Sequence, residues 1–319
     1  MELTIKDAFL QGRAHLEGLG AAEPAIEAEV LLRFALAWDR ARLYTHWDET
    51  IPAEVLARYV ALLDQRSRRR PVHYIVGERE FMGLRFAVDE RVLIPRPETE
   101  ILVEYAAQWV CKEHGPAAGI IADIGTGSGA IAVSLAYLLP EVIVHATDIS
   151  ERAIDVARSN AQRHGVADRL HFHVGDMLTA LPVALRGHID ALVSNPPYVP
   201  QDQAFLLSRE IREFEPAEAI FVPGDGSVLH RRLIADAASW LRPGGLLAME
   251  VGAGQAVAVA AAIEDDGRYV EITRVPDGVG IERAVAARHR GARRETSPAG
   301  ESSSRRCPTT GSLSPTSAR

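Results

Sequence analysis

Cysteine is nearly missing from this 319-residue chain: there are two, Cys111 within a helical pattern and Cys307 in a polar tail. That count argues against a disulfide framework and against a cysteine metal site. Long hydrophobic runs are missing too. No stretch of eighteen apolar residues is present, so no membrane span is expected. Met1-Glu2-Leu3-Thr4-Ile5-Lys6-Asp7 lacks the basic-then-apolar order of a signal peptide, and the expected location is cytoplasmic. Positive charge is also in deficit. A net charge of −8 speaks against a broad nonspecific nucleic-acid surface, although a local basic patch is compatible with it. The run Arg68-Arg69-Arg70 reads as the solvated end of a helix, where cations complement the dipole. No internal repeat is visible.

What is present is ample apolar material. A hydrophobic content of 47% predicts a soluble globular protein with one large domain and a smaller one. Residues 1–70 read as a small helical domain. Thr4-Ile5-Lys6-Asp7 has the form of a helix start, followed by Ala8, Leu10, Ala14 and Leu16 at helical spacing. Glu23-Pro24 opens a second helix with Ile26, Val30, Leu31, Phe34 and Ala35 on one face. A third follows Pro52, with Val55, Leu56, Tyr59, Val60 and Leu63 as its apolar side. This domain proposes no catalysis; it either recognises a partner or packs on the larger domain. Residues 71–95 suggest a β-hairpin connector built from Tyr74 to Gly77 and Phe81 to Val88. In residues 96–288 strands alternate with helices: Gly119 to Ile124, Val142 to Asp148, Leu170 to Val174, Ala191 to Ser194 and Leu246 to Val251 are the expected strands. The fold class is therefore α/β, a mainly parallel Rossmann-like sheet covered on both faces, with ligands at its strand C-termini. Residues 289–319, rich in Arg, Gly, Ser, Thr and Pro, are expected to be a disordered tail.

Two motifs carry chemistry. Asp123-Ile124-Gly125-Thr126-Gly127-Ser128-Gly129 places three glycines between a strand and a helix, where a ligand can approach the backbone closely. Its Gly-x-Gly-x-Gly spacing differs from the dinucleotide fingerprint and from the lysine-containing phosphate loop. Asp148 ends the next strand, placed to accept hydrogen bonds from ribose hydroxyls. Together these residues fit S-adenosyl-L-methionine better than NAD. Asp176 could accept from the adenine amino group, and Met177 could pack on the ring. His171 and His173 share one side of a strand but lack a third ligand candidate, so they read as structural and no metal is expected. The second motif, Asn195-Pro196-Pro197-Tyr198, follows an apolar strand. An Asn oxygen and a free backbone carbonyl can take both hydrogens of a planar NH2 group, and a Tyr face can stack on the attached π-system. A proline turn closing a strand is the plainer reading of the tetrapeptide alone.

With both motifs placed, the chain resembles the peptide chain release factor N5-glutamine methyltransferases, the HemK-like family. The resemblance spans roughly residues 5–287. It is carried by Pro71 to Gly77, Glu80 to Leu84, Val92 to Glu100, the glycine turn, Asn195 to Tyr198, Glu215-Pro216, Leu241 to Gly245 and Glu250-Val251-Gly252. Ile94-Pro95-Arg96-Pro97-Glu98-Thr99-Glu100 is the most specific stretch, because sister enzymes acting on a ribosomal protein look different there. Val222 to Gly226 departs from the family's usual paired glycine, and Met82 and Met177 stand where aromatics are common. The resemblance implies methyl transfer to the side-chain amide of the glutamine in the Gly-Gly-Gln segment of class 1 release factors, with Asn195, Pro196, Pro197 and Tyr198 holding that amide and Asn195 also bordering the cofactor. A monomer suffices for this role. The rival readings are an adenine-N6 methyltransferase of DNA or RNA, a glutamine methyltransferase of a ribosomal protein, and an adenosylmethionine-binding module without activity.

Overall fold

A computed structural model describes residues 3–114 and 119–290. The expected tail, apart from His289 and Arg290, lies outside the described residues. The described chain falls into two compact units: residues up to Glu78 together with Leu207–Phe214, and Arg79–Leu206 with everything from Glu215 on.

The first unit is helical: α1 Ile5–Gly18, α2 Pro24–Leu36, α3 Arg40–Thr45, α4 Ala53–Ser67 and α5 Val72–Val76. Thr4 and Asp7 form a reciprocal capping box, each side chain accepting from the other's backbone N–H at 3.1 Å, which satisfies two otherwise unpaired donors. The apolar faces are narrower than their spacing suggests. Leu10, Ile26, Phe34 and Val60 are exposed, while Ala28, Leu31, Leu32, Ala35 and Leu36 form the buried stripe of α2. Gly12 lets α1 close on α4, since a Cβ there would stand 1.9 Å from the Tyr59 hydroxyl. Tyr74 to Val76, expected as strand, is the short helix α5. Pro71 begins it and Gly77, left-handed at φ 76°, ends it; this Pro-to-Gly bracket outweighs the β-branched composition between. Buried Arg66 gathers Glu27 at 2.7 Å and Glu210 at 3.1 Å, tying the helix Arg209–Phe214 into this unit.

The second unit starts with the hairpin strands β1 Glu78–Phe81 and β2 Leu84–Ala87. Met82 and Gly83 between them both have positive φ, as a two-residue hairpin turn requires. The alternating part runs α6 Glu100–His114, β3 Ile120–Ile124, α7 Ala130–Leu138, β4 Ile143–Asp148, α8 Glu151–Arg163, β5 Leu170–Val174, β6 Ile189–Ser194 and β7 Val199–Pro200. After α9, the Arg209–Phe214 helix of the first unit, come β8 Phe221–Val222, α10 Val228–Ala237, β9 Leu241–Glu250, α11 Ala256–Asp266, β10 Tyr269–Pro276 and β11 Glu282–His289. The main sheet has seven strands in the order β10-β11-β9-β6-β3-β4-β5. Its five inner and edge strands from β9 to β5 are parallel, and β11 and β10 add an antiparallel hairpin that the sequence reading did not foresee.

Successive residues of the central strands feed opposite layers. Ala191 and Val193, Leu246 and Ala248, Ala284 and Ala286 pack into one core with α6 and α7. Leu192, Leu247, Met249, Val285 and Ala287 pack into the other with α10 and α11. Burial on both faces explains why these strands read as unbroken apolar runs. The chain winds from β3 outward to β5, then crosses back to place β6 on the other side of β3. Strand order reverses there, and the crevice between the C-terminal ends of β3 and β6 is where such sheets bind ligands.

On the edge pair, His145 of β4 supplies the third ring absent from the sequence argument. Its Nδ1 lies 3.0 Å from His173 Nε2, and its ring is 4.9 Å from that of His171. Among the described residues no group of His, Cys, Asp and Glu has the arrangement to hold a metal ion. Burial, then the two neighbouring imidazoles, pushes His145 down to about 4. An unfolded His titrates near 6.5, so between those values the unfolded chain binds more protons and stability falls as pH falls. His145→Gln is therefore expected to flatten the dependence of melting temperature on pH between about 6.5 and 4. An unchanged slope would remove His145 as the source.

Candidate active site

The β3-to-α7 turn is held in shape by buried acceptors behind it. Gly125 and Thr126 both donate backbone N–H to the Thr147 carbonyl at 2.9 Å. Asp123 is fully buried; its Oδ2 accepts from the Thr126 hydroxyl at 2.6 Å and from the Ala132 N–H at 3.2 Å, while Oδ1 has no hydrogen-bond partner among the described residues. Burial pushes the Asp123 carboxyl up to about 7. Gly129, at φ 80°, packs on Ala157, whose Cα a Cβ at Gly129 would approach to 3.2 Å. The Ser128 carbonyl accepts from Asn160 at 2.8 Å. Gly125 and Gly127 face the other way. Both have positive φ, and a Cβ at either would meet nothing within 4 Å: the space above them is open.

That space belongs to a cavity of about 270 Å³, just under the range of roughly 300–1,000 Å³ usual for small-molecule sites. Gly125, Gly127, Asp148, Asp176, Met177, Asn195, Pro196 and Pro197 line it. Asp123, Thr126, Ser128 and Gly129 do not; they shape the turn from behind. Asp148 accepts from the Gly127 N–H at 2.8 Å and from the Ser150 N–H at 2.9 Å. Burial raises its pKa against the pull of those donors. Asp176 is forked to Arg232, at 2.9 and 2.6 Å, so its carboxylate is already engaged. Met177 follows at φ 50°.

Across the cavity, Ser194 at the end of β6 donates its hydroxyl to the Ile124 carbonyl at the end of β3, 2.6 Å away, and clamps the two strand ends together. Asn195 comes next and donates its side-chain NH2 to the Thr99 hydroxyl at 3.2 Å. Tyr198 is set back and does not line the cavity. Its hydroxyl donates to Glu250 Oε1 at 3.4 Å, and its backbone carbonyl accepts from Gln255 at 3.1 Å. Gly226, the glycine of the Asp225-Gly226 pair, lies directly against that carbonyl: a Cβ there would stand 2.4 Å from it.

Two residues of the stretches that carry the resemblance have roles that the sequence does not reveal. Glu215 is buried; it accepts from Arg96 at 2.6 Å and from the Ile94 N–H at 3.3 Å, stapling the Ile94 to Pro97 segment beside cavity-lining Pro216. Glu250 is buried at the end of β9, with Oε2 lacking a hydrogen-bond partner among the described residues. Burial above all pushes its carboxyl up to about 7, against the Thr99 and Tyr198 hydroxyls that favour its ionised form. An acidic residue ending a parallel strand beside the switch point was the available signal, the same that marked Asp148.

A crevice floored by glycines and bordered by one strand-end carboxylate, with no phosphate-cradling lysine, suits a nucleoside rather than a nucleotide phosphate. Such a crevice at the switch point of a seven-stranded sheet is the architecture of a methyltransferase. A model of the methyltransferase small domain matches residues 99–214, and one of the PrmC N-terminal domain matches residues 7–77. The release factor glutamine methyltransferase of Moorella thermoacetica is 40% identical over 291 residues, covering 90% of this chain and 99% of its own. That of Cereibacter sphaeroides is 41% identical over 282 residues, 88% of this chain and 97% of its own. The N-terminal domain of human METTL16, at 16% identity and TM-score 0.50 over 81% of this chain and 92% of its own, shares the fold. The chain belongs to the release factor glutamine methyltransferase family.

Proposed function

We propose that this protein transfers a methyl group from S-adenosyl-L-methionine to the side-chain amide nitrogen (N5) of the glutamine in the Gly-Gly-Gln segment of class 1 peptide chain release factors. The observation that carries the reading is that Gly125 and Gly127 on one wall and Asn195, Pro196 and Pro197 on the other share one cavity. The residues fit the cofactor. The glycines leave room against the backbone, Asp148 can accept from ribose hydroxyls, and Met177, Ile149, Ala219 and Leu229 give the apolar lining a flat purine needs. Asp123, Thr126, Ser128 and Gly129 support it indirectly by fixing the turn. Asp176 borders the same space with its carboxylate shared with Arg232.

When bound, the cofactor supplies a methyl group on a positively charged sulfur. The difficulty lies with the acceptor, because an amide lone pair is delocalised into its carbonyl. Asn195 Oδ1 and the Pro196 carbonyl would accept the two amide hydrogens, favour a more pyramidal nitrogen, and stabilise positive charge as it develops there. Pro196 cannot turn its own N–H on the substrate, since it has none. Pro197 narrows the slot, and Tyr198, locked by Glu250 and Gln255, backs the tetrapeptide. No strong base is needed before attack, as the alkylated amide readily loses its proton to solvent.

The test uses labelled adenosylmethionine offered with a class 1 release factor, a ribosomal protein, DNA and RNA in parallel. Label in the release factor is the expected result. Label confined to nucleic acid or to the ribosomal protein would reject the proposal.

A further inference from the structure

The Asn195 side chain has two ends of almost equal size, one a pure acceptor and the other a double donor. If the acceptor reading above is right, only one orientation works. Turned about its last torsion, Asn195 would present its own NH2 to the substrate NH2, and two donors would face each other. Something must choose between the two.

Thr99 sits where that choice is made. It is 4% exposed, at the end of the short turn Pro97–Thr99, and its hydroxyl lies 3.2 Å from Asn195 Nδ2. A hydroxyl has a single proton. The Thr99 hydroxyl also favours the ionised form of Glu250, a residue 3% exposed that takes the Tyr198 hydroxyl at 3.4 Å. A Thr99 hydroxyl that sends its one proton toward Glu250 keeps a lone pair for the Asn195 NH2, so both contacts are satisfied together. We infer that Thr99 is a positioning residue: its hydroxyl accepts from the Asn195 NH2 and so points the Asn195 carbonyl oxygen at the acceptor amide. The inference also gives the Ile94 to Glu100 stretch a task. Arg96 is anchored to Glu215, and that anchor carries Thr99 to its place.

Thr99→Val keeps the shape and removes the hydroxyl. It is expected to lower kcat by about 10- to 100-fold, the scale of a misaligned acceptor, with cofactor affinity, KM for the release factor and melting temperature near those of the unaltered protein. Thr99→Ser, which restores a hydroxyl, recovers most of the turnover. The pair Asn195→Ala/Thr99→Val is no slower than Asn195→Ala alone, because Thr99 acts only through Asn195. If Thr99→Val lowers the melting temperature, Thr99→Ala is compared with Thr99→Ser at a temperature where both are folded. Turnover of Thr99→Val or Thr99→Ala equal to that of the unaltered protein overturns the inference; so does equal loss in Thr99→Ser, or multiplicative loss in the double variant. The acceptor reading fails separately: Asn195→Ala with undiminished turnover would reject it whatever Thr99 does.

Discussion

Asn195→Ala is expected to lower turnover on a release factor by about 10²- to 10³-fold, the cost of losing one preorganised polar partner of a charge that develops in the transition state. Cofactor affinity should change little, because the cavity floor is built by Gly125, Gly127 and Asp148, which Asn195 does not hold in place. Among the described residues the side chain hydrogen-bonds to Thr99, and the backbone around it is fixed by other means, notably the Ser194 hydroxyl on the Ile124 carbonyl. Steady-state kinetics with the release factor, alongside calorimetric titration of the cofactor, separates the two effects. Parallel loss of cofactor binding would mean that Asn195 serves mainly the cofactor. Unchanged turnover would remove it from the acceptor site.

Asp148→Ala should act in the opposite sense, weakening cofactor binding by about 100-fold while leaving much of the turnover at saturating cofactor. Two contributions point the same way. The carboxylate borders the cavity where ribose hydroxyls would lie, and charged hydrogen bonds are each worth about 1.5–3 kcal/mol. It also accepts from the Gly127 and Ser150 N–H groups, so its removal loosens the turn that keeps the cavity floor open. Asp148→Asn retains one of those acceptors and should fall between. Calorimetry reads the first effect and the kcat-against-KM split the second. Equal affinity in Asp148→Ala and the unaltered protein would place the nucleoside elsewhere.

The glycine turn and the Asn195 tetrapeptide, which line one cavity, are legible in the sequence because each is contiguous and punctuated: glycines demand positive φ, and prolines end a strand. The parallel strands were legible for a related reason. Burial on both faces leaves unbroken apolar runs such as Ala191 to Val193. Where local composition competes with its brackets, the brackets win. Tyr74 to Val76 looks like strand, yet Pro71 and Gly77 close it as a helical turn. Ile26, Phe34 and Val60 were assigned to buried faces that helix packing left exposed, since spacing alone does not set the width of an apolar stripe. The hairpin of β10 and β11 went unnoticed, its outer strand being half-polar and irregular in register.

What a single sequence could not bring together is the support behind Asn195. Thr99 lies 96 positions away and Glu250 lies 52 from Tyr198; only the order of β9, β6 and β3 in the sheet makes them neighbours. The same holds for Arg96 and Glu215, whose pairing was hidden inside two separate motifs. The acidic balance of the chain still bears on function, as it disfavours a phosphate backbone as partner and leaves a protein amide as the better match for the acceptor wall.

The most direct measurement is to locate the transferred methyl group by tandem mass spectrometry of a class 1 release factor incubated with the protein and adenosylmethionine. One methyl group on the side-chain nitrogen of the Gly-Gly-Gln glutamine, absent when Asn195→Ala replaces the unaltered protein, is the predicted result. A methyl group on any other residue, or none on the release factor while nucleic acid is labelled, would contradict the account.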